Sequence, residues 1–186
     1  MQGYLTTASI DRRKNDCPTT PILAKYTALV VWIKAVVVSE QKINVCLAQL
    51  NLLVGDISGN TLQVLKASED AIGQGSDVIL FPELTLTGYP PEDLLLRPSL
   101  ELRITQAIQS LIEAALPIHI VVGYPKLIEG KLYNVAAVFF KGLCLTEYSK
   151  QNLPNYQVFD EKRYFCAGAI DDSNSGVFEI NGIPTA

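Results

Sequence analysis

The chain has 186 residues, of which 48% are hydrophobic and 18% charged, and 15 Lys+Arg against 19 Asp+Glu give a net charge of −4. That is one domain's length with ample apolar material for a core, which excludes disorder over most of the chain. The mildly acidic balance makes a poor polyanion binder and argues against nucleic acid as the main partner.

The first twenty residues are polar and turn-rich, with the run Asp11-Arg12-Arg13-Lys14-Asn15-Asp16 followed by Pro18 and Pro21. Residues 22–38 are apolar but carry Lys25 and Lys34. The unbroken stretch from Tyr26 to Ile33 falls far short of the ~20 residues a membrane span needs. Lys34 also splits the run, and no small-x-small cleavage site follows it, so a signal peptide is not supported either. No membrane partner is expected. Residues 1–42 read as an extension outside the domain, which is expected to start at Ile43.

From there the pattern becomes regular. Ile43 to Asn51 reads as a buried strand. Asn60, with Gln63 three residues on, resembles a capping box and predicts a helix from Thr61 to about Ile72, ended by Gly73 and Gly75. Asp77 to Phe81 reads as a strand covered on both faces. Residues 85–98 form a Pro- and Leu-rich loop. In the helix predicted from Ser99 to Leu116, Ile104, Ala107, Ile108, Leu111 and Ala115 make one apolar stripe, and Pro117 stops it. Ile118 to Gly123 is a third strand. Leu132 to Phe140 and Leu143 to Tyr148 flank Lys141-Gly142 as a hairpin, and Val177 to Ile180 with Asn181-Gly182 reads as the first arm of another. The order strand, helix, strand, helix, strand, then hairpins indicates an α/β fold with a sheet of mixed direction.

The cysteines stand at 17, 46, 144 and 166 with no CxxC spacing, and the only histidine is His119, so a Cys/His metal site is excluded. So few cysteines read as reduced thiols in a cytoplasmic protein. Three residues are candidates for chemistry. Glu83 follows an apolar strand, at the end where open α/β sheets place their sites. Its neighbours Phe81, Pro82 and Leu84 are expected to draw its carboxylate away from water, as a general base needs. Lys150 also follows a strand directly, and a fixed ammonium there would stabilise a developing oxyanion. Glu161 lies in Phe159-Asp160-Glu161-Lys162-Arg163-Tyr164-Phe165. Taken singly, each reads more readily as a solvated loop or surface group than as a site residue.

Several longer runs tie the three together. They are Ala48 to Asn51 with Val54-Gly55-Asp56, Phe81-Pro82-Glu83-Leu84, Thr87-Gly88-Tyr89-Pro90-Pro91-Glu92-Asp93-Leu94, Lys150 to Pro154 with Asn155-Tyr156, and Val158 to Phe165. On these segments, residues 43–186 resemble the carbon–nitrogen hydrolase (nitrilase) superfamily. More narrowly they resemble the amino-terminal glutaminase domain of glutamine-dependent NAD synthetases. The resemblance implies a four-layer α-β-β-α sandwich, incomplete here at its C-terminal side. It also implies a Glu-Lys-Cys hydrolase that takes ammonia from glutamine for ATP-dependent amidation of deamidated NAD.

In that scheme Glu83 matches the general base and Lys150 the residue that stabilises the tetrahedral intermediate. Glu161 matches a second glutamate that orients lysine and substrate, and Tyr156 a tyrosine that contacts glutamine. The nucleophilic Cys is expected a few residues past Ala186, and Cys46, Cys144 and Cys166 do not fit that role. The chain alone is therefore expected to be inactive. ATP and Mg2+ are implied only for a separate carboxy-terminal half, whose Ser-Gly-Gly-x-Asp-Ser loop this sequence lacks, so no cofactor is expected here. A homo-oligomer is implied for the whole enzyme. A stand-alone amidase or nitrilase piece and a non-catalytic remnant of a broken gene are the alternative readings.

Overall fold

The computed structural model describes residues 4–8, 29–38, 41–169 and 178–185, with side chains over 42–169 and 178–185. The polar, turn-rich reading of the first twenty residues falls largely outside these ranges, as do Cys17 and residues 170–177.

Seven strands form one sheet in chain order: β1 (Tyr4–Ala8), β2 (Leu29–Val38), β3 (Gln41–Gln49), β4 (Val78–Leu80), β5 (His119–Ile128), β6 (Lys131–Phe140) and β7 (Leu143–Ser149). Strands β3, β4 and β5 run parallel, while β5–β6–β7 are antiparallel neighbours. The mixed sheet is the one the element order predicts. Residues 29–38, read from sequence as outside the domain, pair antiparallel with β3 along the backbone.

The two parallel crossovers are helices, α1 (Ile57–Gly73) between β3 and β4 and α2 (Ser99–Ala114) between β4 and β5. They pack on each other and on one face of the sheet. Cys46, Ile79, Ile120, Val122, Ala137 and Phe139 from the strands meet Val64, Ala71, Ile104, Ala107 and Leu111 from the helices in one core. Among the described residues, the sandwich is represented by this helix layer and this sheet. No described helix is long and apolar enough to cross a membrane.

Three elements differ from the sequence reading. Helix α1 starts at Ile57, four residues early, and its cap is Asp56, whose Oδ1 accepts from Gly59 N at 3.1 Å. Asn60 is instead fully buried in the first turn, because its amide bonds Leu53 N, Leu53 O and Leu86 O. Helix α2 ends at Ala114, with Ala115 left-handed at φ 44°, so Ala115 leaves the apolar stripe and is exposed. The cause is Pro117, which also disfavours helical geometry at Leu116. Strand β5 runs on to Ile128 through Pro125, where the sequence reading ends it at Gly123. Beyond Val121 it has no β4 partner, so a missing N–H breaks no bond to that neighbour.

A separate two-stranded hairpin, β8 (Phe178–Ile180) and β9 (Ile183–Thr185), turns at Asn181-Gly182 as expected. It lies on the face away from the helices, since His119 and Phe140 alternate with the core residues Ile120 and Phe139. Phe178 stacks there on His119, with ring centroids 5.8 Å apart.

Candidate active site

Glu83 leaves the C-terminal end of β4 on a sharp elbow. Leu84, the next residue, has φ 49° and is buried at 2% exposure. Strand β5 passes directly beneath, and a Cβ on Gly123 would sit 2.7 Å from the Leu84 nitrogen. Only a glycine permits that approach. The following residues Thr85, Leu86, Thr87 and Gly88 are all buried, so the elbow is braced by the core.

Lys150 leaves β7, with its own N–H donated to Asn134 O at 2.8 Å and its carbonyl accepting from Gly168 N at 2.9 Å. Glu161 opens a short 3-10 turn, Glu161–Arg163, and its backbone is tied on both sides. Its N–H reaches Pro154 O at 3.3 Å, and its carbonyl accepts from Phe165 N at 2.8 Å.

These three elements bring the side chains together. Lys150 Nζ lies 2.7 Å from Glu83 Oε1 and 2.8 Å from Glu161 Oε1. The lysine is thus an ammonium held between two carboxylates. Burial pulls its pKa down, but the hydrogen bonds and charges of Glu161 and Glu83 outweigh this and raise it above the ordinary 10.5. The two carboxylates differ. Glu161 is 8% exposed and its Oε2 has no partner among the described residues. The Glu83 side chain is 41% exposed, so its flanking apolar residues do not desolvate it as expected. Leu84 turns into the core instead, and hydrogen bonds, not burial, hold the carboxylate in place.

Asn134 is a functional candidate that the sequence reading missed. It is 5% exposed, its Nδ2 donates to Glu83 Oε1 at 2.6 Å, and its carbonyl holds the Lys150 backbone. Its only signal is one amide within the apolar run Leu132–Phe140. Tyr89 lies in the Thr87–Leu94 run, to which the sequence assigns no role. Burial first, and then the charges of Glu83 and Glu161, push its phenol pKa up.

Tyr156 is not among the residues bonded to the three. It is 63% exposed and meets Phe159 edge-on at 5.6 Å. Glu83, Asn134 and Lys150 line a hollow of about 220 Å³. Glu161 lines a larger cleft of about 460 Å³, together with Tyr89, Phe159 and Tyr164.

No thiol among the described residues lines either space. Cys46 is buried in β3 and its pKa is pushed up to about 11 by that burial. Cys144 is exposed on β7 and Cys166 is half-buried. No group of three or more His, Cys, Asp or Glu among the described residues is placed to hold a metal ion.

Comparison with known proteins fits this geometry. The chain is 41% identical over 144 residues to a glutamine-dependent NAD(+) synthetase of Xylella fastidiosa, covering 76% of this chain and 26% of that protein. The chain therefore spans about a quarter of the length of such relatives. Its fold superposes on the glutamine-dependent NAD+ synthetase of Acinetobacter baumannii with a TM-score of 0.69 and 45% identity, covering 74% of this chain and 26% of the other. A Nesterenkonia amidase of the nitrilase superfamily superposes with a TM-score of 0.61 at 26% identity, covering 68% of this chain and 48% of the amidase. The carbon–nitrogen hydrolase profile itself matches residues 44–182, so this chain, with its α/β nitrilase-type fold, belongs to the carbon–nitrogen hydrolase family.

Proposed function

We propose that this chain is the glutamine-binding part of a glutaminase that supplies ammonia to a cytoplasmic NAD synthetase. The observation that carries the reading is the Lys150 ammonium shared by Glu83 and Glu161. Amide hydrolysis through a thiol needs a base, a fixed positive charge and a group that orients the amide.

Among the described residues both donors to Glu83 converge on Oε1, so Oε2 can accept a thiol proton. The thiolate then attacks the amide carbon, and negative charge develops on its oxygen. Lys150, already cationic and fixed, stabilises that oxyanion. Collapse forms the thioester, and ammonia departs with the proton from Glu83. Water, deprotonated by the same carboxylate, then releases glutamate. Glu161 Oε2, buried without a partner among the described residues, is an acceptor for an N–H of the substrate. Tyr89 and Phe159 wall the cleft beside it, and Tyr156 packs edge-on against Phe159. The nucleophilic thiol is none of Cys46, Cys144 and Cys166. ATP and Mg2+ belong to the synthetase reaction and enter none of these steps, and the homo-oligomer is a property of the whole enzyme.

Calorimetric titration of the chain with L-glutamine tests this reading. Saturable binding is expected, weakened at least about tenfold by Glu161→Gln or Lys150→Met, since a lost hydrogen bond to a charged group is worth ~1.5–3 kcal/mol. Acetamide should bind far more weakly. Equal affinity in both variants and the unsubstituted chain would overturn it.

A further inference from the structure

The larger cleft has two walls from distant parts of the chain. One is the segment from Tyr89 through the 3-10 turn Glu92–Leu96, and the other runs from Val158 to Phe165. Among the described residues, polar side-chain bonds join the two sides in two places only. One is the Glu83–Lys150–Glu161 cluster. The other is at the rim, where Asp93 Oδ1 accepts from Tyr164 Oη at 2.8 Å and from Arg163 Nη2 at 3.1 Å. Between them the seam is apolar, with Leu84, Leu95 and Phe165 all buried.

The rim contact is badly placed to stabilise the fold. The Asp93 side chain is 70% exposed and that of Arg163 57%, and exposed ion pairs contribute little to stability. It is well placed to fix geometry. One oxygen takes two donors from consecutive residues, the last of the turn that carries Glu161 and the one after it. It therefore sets the distance between the Tyr89 wall and the Glu161 wall. A loop left free would have to be ordered when a ligand enters, and that cost comes out of affinity.

We propose that Asp93 is a positioning residue, whose carboxylate clamps the 89–96 segment to the 161–164 turn and so sets affinity for glutamine without entering the chemistry. The inference rests on the reading of this cleft as the glutamine site. The clamp holds the wall that carries Tyr89, so a substrate must fit a cleft of fixed width.

The test is calorimetric titration of the whole chain with L-glutamine, for the unsubstituted protein, Asp93→Asn, Tyr164→Phe and the double variant. Asp93→Asn is expected to raise Kd about two- to fivefold, the range that an exposed charged pair can supply. Tyr164→Phe should weaken binding less, because Arg163 remains. The double variant should be no worse than Asp93→Asn, since both changes break one clamp. Thermal midpoints should stay together, which a merely structural role would not allow. An ultraviolet titration adds a direct signature. The hydrogen bond to Asp93 pushes the Tyr164 phenol up, so Asp93→Asn should lower the titration that Tyr164→Phe removes. Unchanged Kd in Asp93→Asn, additive effects in the double variant, or an unmoved phenol titration overturns the clamp while the glutamine reading stands. No binding of glutamine by the unsubstituted chain overturns both.

Discussion

Lys150 is the residue on which the site turns, and its titration gives a measurable consequence. Burial alone would lower its pKa, but the bonds to Glu161 and Glu83 raise it above 10.5. A pKa raised by folding means the ammonium is favoured in the native state. The resulting stability is fully present below 10.5 and is lost as pH rises through the higher folded value. In Lys150→Met the two carboxylates face one another without a cation, so the variant should be less stable at neutral pH by about 1–3 kcal/mol. That gap should shrink as pH rises past 10.5, because the native lysine loses its charge there too. Thermal midpoints recorded through the alkaline range check this, and a gap independent of pH would be inconsistent with it. The identity of the three charged residues was legible only through the longer runs around them, since each alone reads as a surface group. Asn134 was not legible, because its contact with Glu83 depends on which strands pair and in what register. A local pattern carries no such information.

At the scale of elements, hydrophobic period and turn chemistry located both helices and most strands. The start of α1 was misplaced because a polar side chain serves a distant partner. The Asn60 and Gln63 pair mimics a capping box, yet Asp56 caps α1 and Asn60 ties the helix to the loops at Leu53 and Leu86. That second link matters to the site, because Leu86 belongs to the buried elbow that follows Glu83. The two residues should therefore respond differently to truncation. Asp56→Ala loses one cap, worth ~0.5–2 kcal/mol. Asn60→Ala leaves Leu53 N, Leu53 O and Leu86 O without this partner, at ~1–3 kcal/mol for each group that stays buried and unpaired, so its cost should be clearly larger. Urea midpoints of the two variants decide between them. Equal losses would mean that Asn60 acts only within its helix. Strand β5 was under-read for a related reason. Pro125 normally punctuates a strand, and it is tolerated because β4 pairs with β5 only as far as Val121.

For the whole molecule, the two faces of the sheet carry different duties. One is sealed by α1 and α2, and the other carries the β8–β9 hairpin, with His119 layered between Phe178 and Phe140, at 4.1 Å from the latter. The alternation of elements in the sequence pointed to the first face. Nothing in it showed where the hairpin docks, because that depends on Asp77. This one residue accepts from Asn44 N on Oδ2 at 2.7 Å, from Asn181 Nδ2 on Oδ1 at 2.7 Å, and from His119 N on its carbonyl at 3.1 Å. It thereby joins β3, β5 and the hairpin at one point. Replacing Asp77 would disturb all three, so Asn181 is the cleaner place to cut. Asn181 sits at φ 52°, and Asn181→Gly keeps that turn conformation while removing the amide. The bond is exposed at its hairpin end, so global stability should fall by no more than about 1 kcal/mol. Locally the hairpin loses this polar tie to the sheet, so its opening should become more frequent. Native-state hydrogen exchange should then quicken for the amides of Ile180 and Ile183 and leave those of Ile120 and Val122 in β5 unchanged. Equal acceleration in both places would show that the hairpin opens only with the entire sheet, and that Asp77 docks no separable unit.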